Sequence, residues 1–586
     1  MSNVCREVVT LQLGHYSNFV GTHWWNLQDA SLSYDPETPP SEIQSDVLFR
    51  EGQTPGGHVT HTPRLIAMDL KGSLRTLRQE GNLYDAGTDT SAATWEGSLM
   101  MHKESPPQKN SFLEDLDRMD KGEILAQDDF YSSPRPHCSV PAGAVSVDTV
   151  NSQLARVQKG YRLEGSVKVW SDFLRIHLHP RSVSVIHQYN HDGEAHRLET
   201  FGQGEGLLQG PLLEQLEDKL HFFVEECDYL QGFQVFCDLA DGFAGLGSKV
   251  TEMLQDSYGG RGILTWGLAP VSHPDTTPMK ELYHVLNCAL GTVNMAANSS
   301  FFCPLTLRGG LGRRPSSPVA FPHLNYDPSL WYHSSSVLAL ALDALTLPYR
   351  LKDGAPMWQM ADTLAVSGRK VVAAYGAVPF PMMHGAALPD ALSACADALP
   401  WKPLSACPEP GDGRCYGQLV TLRGFEGQRL TSSLAPGTQP ATPLHDLHRG
   451  EDVLESYVRS FYPRSPLALQ LVSTPSALTP PFPQIFSHFL GPRGFLQSQP
   501  LPPGSRAVSL APVMTSLQSG PAVGSWLSQL HSGAGALDIR RSAPSFLSQG
   551  PEMSDYKDAL EELRLLGRCY RDGTMCSSSS SEDNDD

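Results

Sequence analysis

The sequence predicts an α/β fold, and three stretches carry the prediction. Val8 to Leu13 is apolar and β-branched enough for a buried strand, Gly14 ends it, and SNFVGTHWWNLQ then places Phe19, Val20, His23 and Trp24 at near-helical spacing. Leu65 to Met68 reads as a second strand that ends in Asp69. Its carboxylate therefore stands at a strand's C-terminal edge, where such sheets present the residues of ligand sites. From Gly210 onward the order is strand, glycine loop, helix, strand, the arrangement in which backbone N–H groups cradle a phosphate.

The remaining elements follow along the chain. Pro211 suits the first helical position, Leu213, Leu216, Leu220, Val224 and Cys227 form one apolar stripe, and Gly232 closes that helix. The stretch Leu212 to Leu230 is core before it is partner surface. Phe233 to Cys237 reads as a short strand, Lys249 to Gln255 as a helix, and Ile263 to Leu268 as the next strand. Val337 to Leu347 is the most apolar window, but Asp343 interrupts it and it falls short of the ~20 residues that cross a bilayer. Pro463 to Pro521 is rich in proline and serine and predicts extended connection, with ordered pieces such as PQIFSHFLG. Ser554 to Tyr570 predicts a helix, and beyond Gly573 the tail SSSSSEDNDD has the composition of a disordered segment. Ser579 and Ser580, three residues before Glu582 and Asp583, are candidate sites for an acid-directed kinase.

Charge and cysteine content narrow the function classes. The 586 residues carry 63 acidic against 44 basic groups, a formal charge of -19, which argues against general attraction to nucleic acid or an anionic bilayer. Eleven cysteines, an odd number with no CxxC pair, indicate buried thiols in a reducing compartment rather than a disulfide framework or zinc ribbon. The opening MSNVCREVVTLQLG has no signal-like apolar core and little positive charge, so the expectation is a cytoplasmic chain that docks on membranes peripherally at most. HExxH and GxSxG are absent, and no catalytic residues are assigned. His177 and His179 fall two apart on a predicted strand, but no third ligand has a supporting spacing. They are read as a surface pair, and no metal site is assigned.

REVVTLQLGHYSNFVGTHWW, TPRLIAMDLKGSLRTLR, ATWEG around Trp95, CDYLQGFQ and VPFP at Val378 to Pro381 occur in the order in which tubulins carry similar segments. With the block VKVWSDFLRIHLHPRS, the chain resembles the misato family of tubulin-related proteins. The resemblance implies a tubulin-like architecture: a Rossmann-like N-terminal domain, a central helix, a smaller α/β domain and C-terminal helices. Residues 1–347 would form the nucleotide-binding-type domain, with an insertion at about 96–202 that has no tubulin counterpart and the central helix at about 333–347. Residues 348–462 would form the smaller α/β domain, 463–552 a Pro/Ser-rich, partly ordered connecting region, and 553–586 a helix and acidic tail.

The resemblance also supplies a site to compare. The tubulin phosphate loop G-G-G-T-G-S-G falls on Ala240 to Leu246 without gaps, or on Asp241 to Gly247 when shifted by one. The second register keeps Gly242, Gly245 and Gly247, and both put Asp241 in the cradle, where a carboxylate repels phosphate unless a metal intervenes. Gly242 to Gly247 also has P-loop spacing, but Ser248-Lys249 reverses the required order. Where tubulins read G-Q-C-G-N-Q, this chain keeps Gly14 and Asn18 and enlarges small positions, with His15 the first change. The tubulin D-L-E becomes Asp69, Leu70, Lys71; that lysine either neutralises phosphate or lies on the surface, and the surface reading is preferred. Contacts to a base are expected near Asn325, Tyr326 and Trp331. The hydrolytic G-x-x-N-x-D loop is replaced by Leu347 to Gly354, in which Asp353 is the lone acid.

Gly14, His15, Asn18, Asp69, Lys71, Asp241, Gly242, Gly245 and Gly247 are therefore candidates for a vestigial nucleotide site with no required cofactor and, at most, weak GTP or GDP binding. The misato resemblance implies a non-enzymatic protein, peripheral on the mitochondrial outer membrane, that supports mitochondrial distribution, morphology and network fusion. Mitochondrial outer-membrane or cytoskeletal proteins and the cytosolic chaperonin are the partners it suggests. An active, filament-forming GTPase is the alternative.

Overall fold

The structure is a computed structural model. It describes residues 6–572 apart from 33–40, 54–58, 78–106, 122, 124–159, 194, 273–275, 309–316, 396–397, 409–413, 427–428, 433–441, 503–504, 506 and 549–551. Trp95, Ser579 and Ser580 lie outside the described residues.

The first sheet grows outward from β1 (Glu7–Leu13), whose seven residues are all buried. Burial on both faces is what a parallel sheet under two helical layers demands, and it explains the unbroken apolar and β-branched run. After the antiparallel hairpin β2 (Phe49–Gln53) and β3 (Val59–Pro63), the sheet adds β4 (Leu65–Lys71), β5 (Val183–Asn190), β6 (Leu230–Asp238), β7 (Gly262–Leu268) and β8 (Phe301–Leu305). The order is β5-β4-β1-β6-β7-β8, every pair parallel. Side chains alternate between two cores: Phe233, Val235 and Cys237 face one, Phe236 the other.

Helix α1 (His15–Ala30) begins directly after Gly14, whose φ of 115° is open to glycine and strained for other residues. Helix α2 (Ser111–Asp120) lies in the expected insertion, where Asn110 caps it by accepting the Leu113 N–H at 3.0 Å. Helices α3 (Phe201–Glu205), α4 (Pro211–Glu225), α5 (Phe243–Ser257) and α6 (Pro278–Asn298) feed the core on the Phe233 side. Helix α7 (Trp331–Leu345) is buried along nearly its whole length, Trp331 and His333 being half-exposed. It packs with Phe236 and Leu264 of the first sheet and with Leu419, Val513 and Leu517 of the second, which fits its all-round apolarity.

The second sheet comprises β9 (Ala373–Ala377), β10 (Lys402–Pro403), β11 (Gly417–Arg423), β12 (Leu467–Val472) and, after a small β13 (Ser476–Ala477) and β14 (Leu510–Ala511) pair, β15 (Val513–Ser519). Its order is β10-β9-β15-β11-β12, with only β11 and β12 parallel. The C-terminal helices α8 (Pro521–Gly535) and α9 (Met553–Asp572) pack on each other and on α6.

Three expectations need correction. The Pro/Ser-rich region 463–552 is more than connection: it contributes β12 and β15, and β15 is fully buried between β9 and β11. Its sequence VMTSLQS conceals the strand because a central strand in this sheet buries Thr515, Ser516, Gln518 and Ser519 along with its apolar residues. The region at about 96–202, read as an insertion with no tubulin counterpart, supplies β5, the edge strand of the first sheet. His177 and His179 are not on a strand: His177 Nε2 stands 3.5 Å from Asp120, whereas His179 stacks on Phe222 at 4.8 Å.

Candidate functional site

The C-terminal ends of β1, β4 and β6 meet the start of α1, and the chemistry collects there. Asp238, the last residue of β6, sends its carboxylate to the first turn of α1. Oδ2 accepts the Tyr16 N–H at 2.9 Å, while Oδ1 accepts the Ser17 N–H at 2.6 Å and the Ser17 hydroxyl at 2.5 Å. A helix N-terminus with free N–H groups is a ready anion site. In this chain a side-chain carboxyl group from the same sheet fills it. Gly14 permits the approach, since a Cβ there would lie 2.4 Å from Asp238 Oδ2.

Asp241 follows in the glycine loop and accepts the Phe243 N–H at 2.9 Å, so it caps α5 from within the cradle. The two carboxylates titrate as a pair. Burial pushes Asp238 well above the usual carboxylate range, Asp241 adds to the shift, and the Ser17 and Tyr16 donors only partly oppose it. Asp241 is raised to about 7, by burial first and by the charge of Asp69, against the Phe243 hydrogen bond and His15.

Asp69 ends β4 as the sequence indicates, and it is crowded with donors. Its Oδ2 accepts from His15 Nδ1 at 2.8 Å, Trp170 Nε1 at 2.8 Å and Asn18 Nδ2 at 3.3 Å, and its Oδ1 accepts the Leu70 N–H at 2.7 Å. Burial works against the charge, but the His15 ring, with the Leu70 N–H, outweighs it and holds Asp69 below its usual value. His191, in the turn after β5, stacks on His15 with ring centres 3.7 Å apart. Burial and then His15 lower its pKa to about 4, leaving a neutral imidazole at physiological pH.

Gly14, His15, Asn18, Asp69 and Asp241 thus converge. Lys71 does not join them; its side chain is exposed and only its backbone oxygen takes part, accepting the His191 N–H at 2.9 Å. The helix begins at Phe243 rather than near Lys249, so Gly245 and Gly247 sit inside α5. Their lack of a side chain serves packing: a Cβ on Gly245 would lie 1.9 Å from the Phe201 oxygen, and one on Gly247 2.3 Å from Cys237 Sγ. Gly242 at the N-cap donates its N–H to the Leu198 oxygen at 3.3 Å. Of the residues considered for base contacts, Trp331 alone lines the adjoining cleft, which has a volume of about 430 Å³ and is bordered by His15, His191, Asp241, Lys280 and Tyr283.

After α7 the chain turns inward before it reaches Asp353. Leu347–Arg350 forms a buried turn, and the Arg350 guanidinium donates to Asp343 and Gln28. Asp353 is exposed, as a loop residue. Asp238, His191, Ser17 and Trp170 are site residues that sequence reading missed. The available signal for Asp238 was its place at a strand end before the glycine loop, the same reasoning that singled out Asp69.

A model described as the Misato Segment II tubulin-like domain matches residues 6–118, and a tubulin-domain model matches 162–351. Protein misato homolog 1 of Danio rerio is 66% identical over 591 residues, covering 100% of both chains. The Homo sapiens protein of that name is 45% identical over 587 residues, covering 98% of this chain and 99% of its own. Protein misato of Drosophila melanogaster is 28% identical over 588 residues, with 97% and 99% covered. The double-sheet architecture, the matched tubulin domains and the end-to-end likeness to these relatives place this chain in the misato family of tubulin-like proteins.

Proposed function

We propose that the chain is a non-enzymatic tubulin-like protein that supports mitochondrial distribution, morphology and network fusion from the cytosolic face. The observation that carries its non-enzymatic part is the Asp238 carboxylate on the first-turn donors of α1, where an incoming phosphate would need them. Asp241 adds a second carboxyl group in the same cradle, bonded to the Phe243 N–H, so a triphosphate meets donors that are already occupied. The segment that would carry an acid for hydrolysis is instead anchored through Arg350. A cleft beside the glycine loop keeps the competing GTPase reading open.

The mitochondrial part rests on the misato likeness. No described helix is long and apolar enough to cross a membrane, which supports peripheral attachment through mitochondrial outer-membrane or cytoskeletal proteins. Neither nucleotide nor other cofactor is required in this reading.

Nucleotide content and turnover of the purified full chain test it. The expected result is substoichiometric guanine nucleotide and a GTPase rate no higher than that of Asp241→Ala. Stoichiometric GTP or GDP, with concentration-dependent turnover that disappears in Asn18→Ala, would establish the filament-forming GTPase instead.

A further inference from the structure

We propose that His15, Asp69 and His191 form a binding site for a divalent transition-metal ion of the zinc class, held by the protein alone at the C-terminal edge of the first sheet. One ligand atom from each of the three lies within 4.8 Å of the others. His15 Nδ1 and Asp69 Oδ2 are already 2.8 Å apart. Two donors on one zinc ion, each about 2.0 to 2.2 Å from it, stand roughly 3 Å from each other, so the ion replaces the proton between these atoms with little movement. His191 supplies the adjustment, since it is half-buried in a turn rather than fixed within the strand.

A hydrogen-bonded histidine-aspartate pair could serve structure alone, and two features point beyond it. A second imidazole, His191, lies against the His15 ring with centroids 3.7 Å apart, and both histidines border the cleft. The cleft also has room for water in the remaining coordination positions. Asp69 is oriented by Trp170, Asn18 and the Leu70 N–H, the outer contacts that fix a ligand in place.

Two imidazoles and one carboxylate select zinc, cobalt or nickel over magnesium and calcium, which prefer all-oxygen sets. The ion would join α1, β4 and the turn after β5, three segments separated in sequence. It would also offset the negative charge of Asp69. The site needs no nucleotide and is independent of the proposed lack of GTPase activity.

Chelator-stripped full-length protein would be titrated with Zn²⁺ and, separately, Co²⁺, with Mg²⁺ as competitor. One equivalent should bind with micromolar or tighter affinity and raise the thermal midpoint. The Co²⁺ form should show ligand-field absorption without a thiolate charge-transfer band. His191→Ala should weaken binding about 10- to 100-fold while retaining the metal-free midpoint, and His177→Ala should bind as the parent does. No saturable binding, a thiolate band, displacement by Mg²⁺ or unchanged affinity in His191→Ala would each overturn the assignment.

Discussion

Asp238 and Asp343 are both buried aspartates within tubulin-like architecture, yet their surroundings drive them in opposite directions. Asp343 lies on α7, where Oδ1 accepts from Arg350 Nη2 at 2.9 Å and Gln28 Nε2 at 3.0 Å, while Oδ2 accepts from Ser476 at 2.7 Å and from Arg423. Burial alone would raise its pKa, but Arg423 and then Arg350 outweigh it and lower the value to about 2. Asp238 accepts three hydrogen bonds without a cation and has Asp241 as its neighbour, so its pKa rises. Burial does not decide whether a carboxylate supports a fold; the charge of what surrounds it does. Asp343 fastens α1, α7, β11 and β13 together. Asp238 and Asp241 instead pay for burial without a cation, and their charged forms are disfavoured.

The largest test of this contrast removes the clamp. Asp343→Ala leaves Arg350 and Arg423 buried without their shared carboxylate and should cost about 3 to 5 kcal/mol in urea unfolding at neutral pH. A loss below about 1 kcal/mol would mean that the guanidiniums find equivalent partners and that the clamp does not distinguish the two regions.

A smaller effect separates the regions by pH. Asp241, raised from 3.8 to about 7, supplies its relative stability below its unfolded pKa and loses it as pH rises through about 7. Asp343, lowered from 3.8 to about 2, contributes above 3.8 and loses that contribution as pH falls through 2. Between pH 5 and 8, therefore, Asp241→Asn should flatten a decline in the parent's thermal midpoint and gain about 1 kcal/mol at pH 8, a value moderated by its partial exposure. Exposed Lys71 is the control: Lys71→Ala should stay within about 0.5 kcal/mol and keep the parent's slope. A parent midpoint that rises across this interval would contradict the assigned direction.

The sequence disclosed whatever depends on neighbours along the chain. β1, Gly14 and α1 were legible because an apolar run, a glycine and a helical stripe are contiguous. The clamp was not, because Gln28, Asp343, Arg350, Arg423 and Ser476 meet only after both sheets form. His191 was hidden for the same reason, inside a region read as an insertion. In β15, polar side chains that read as connection are buried within a central strand. Asp238 was within reach, but its role as a cap depends on a helix more than two hundred residues earlier.

The position of β15 also sets a timetable for synthesis. β9 and β11 are the strands it joins, and about 90 residues separate the end of β11 at Arg423 from the start of β15 at Val513. At roughly 5 to 20 residues per second, a ribosome takes about 5 to 20 seconds to deliver the strand that belongs between them. During that interval the backbone edges of β9 and β11 that will receive β15 remain open to other strands. The nascent chain must be kept from pairing with its neighbours until its middle strand arrives, which makes translation itself a period of exposure that the finished fold conceals.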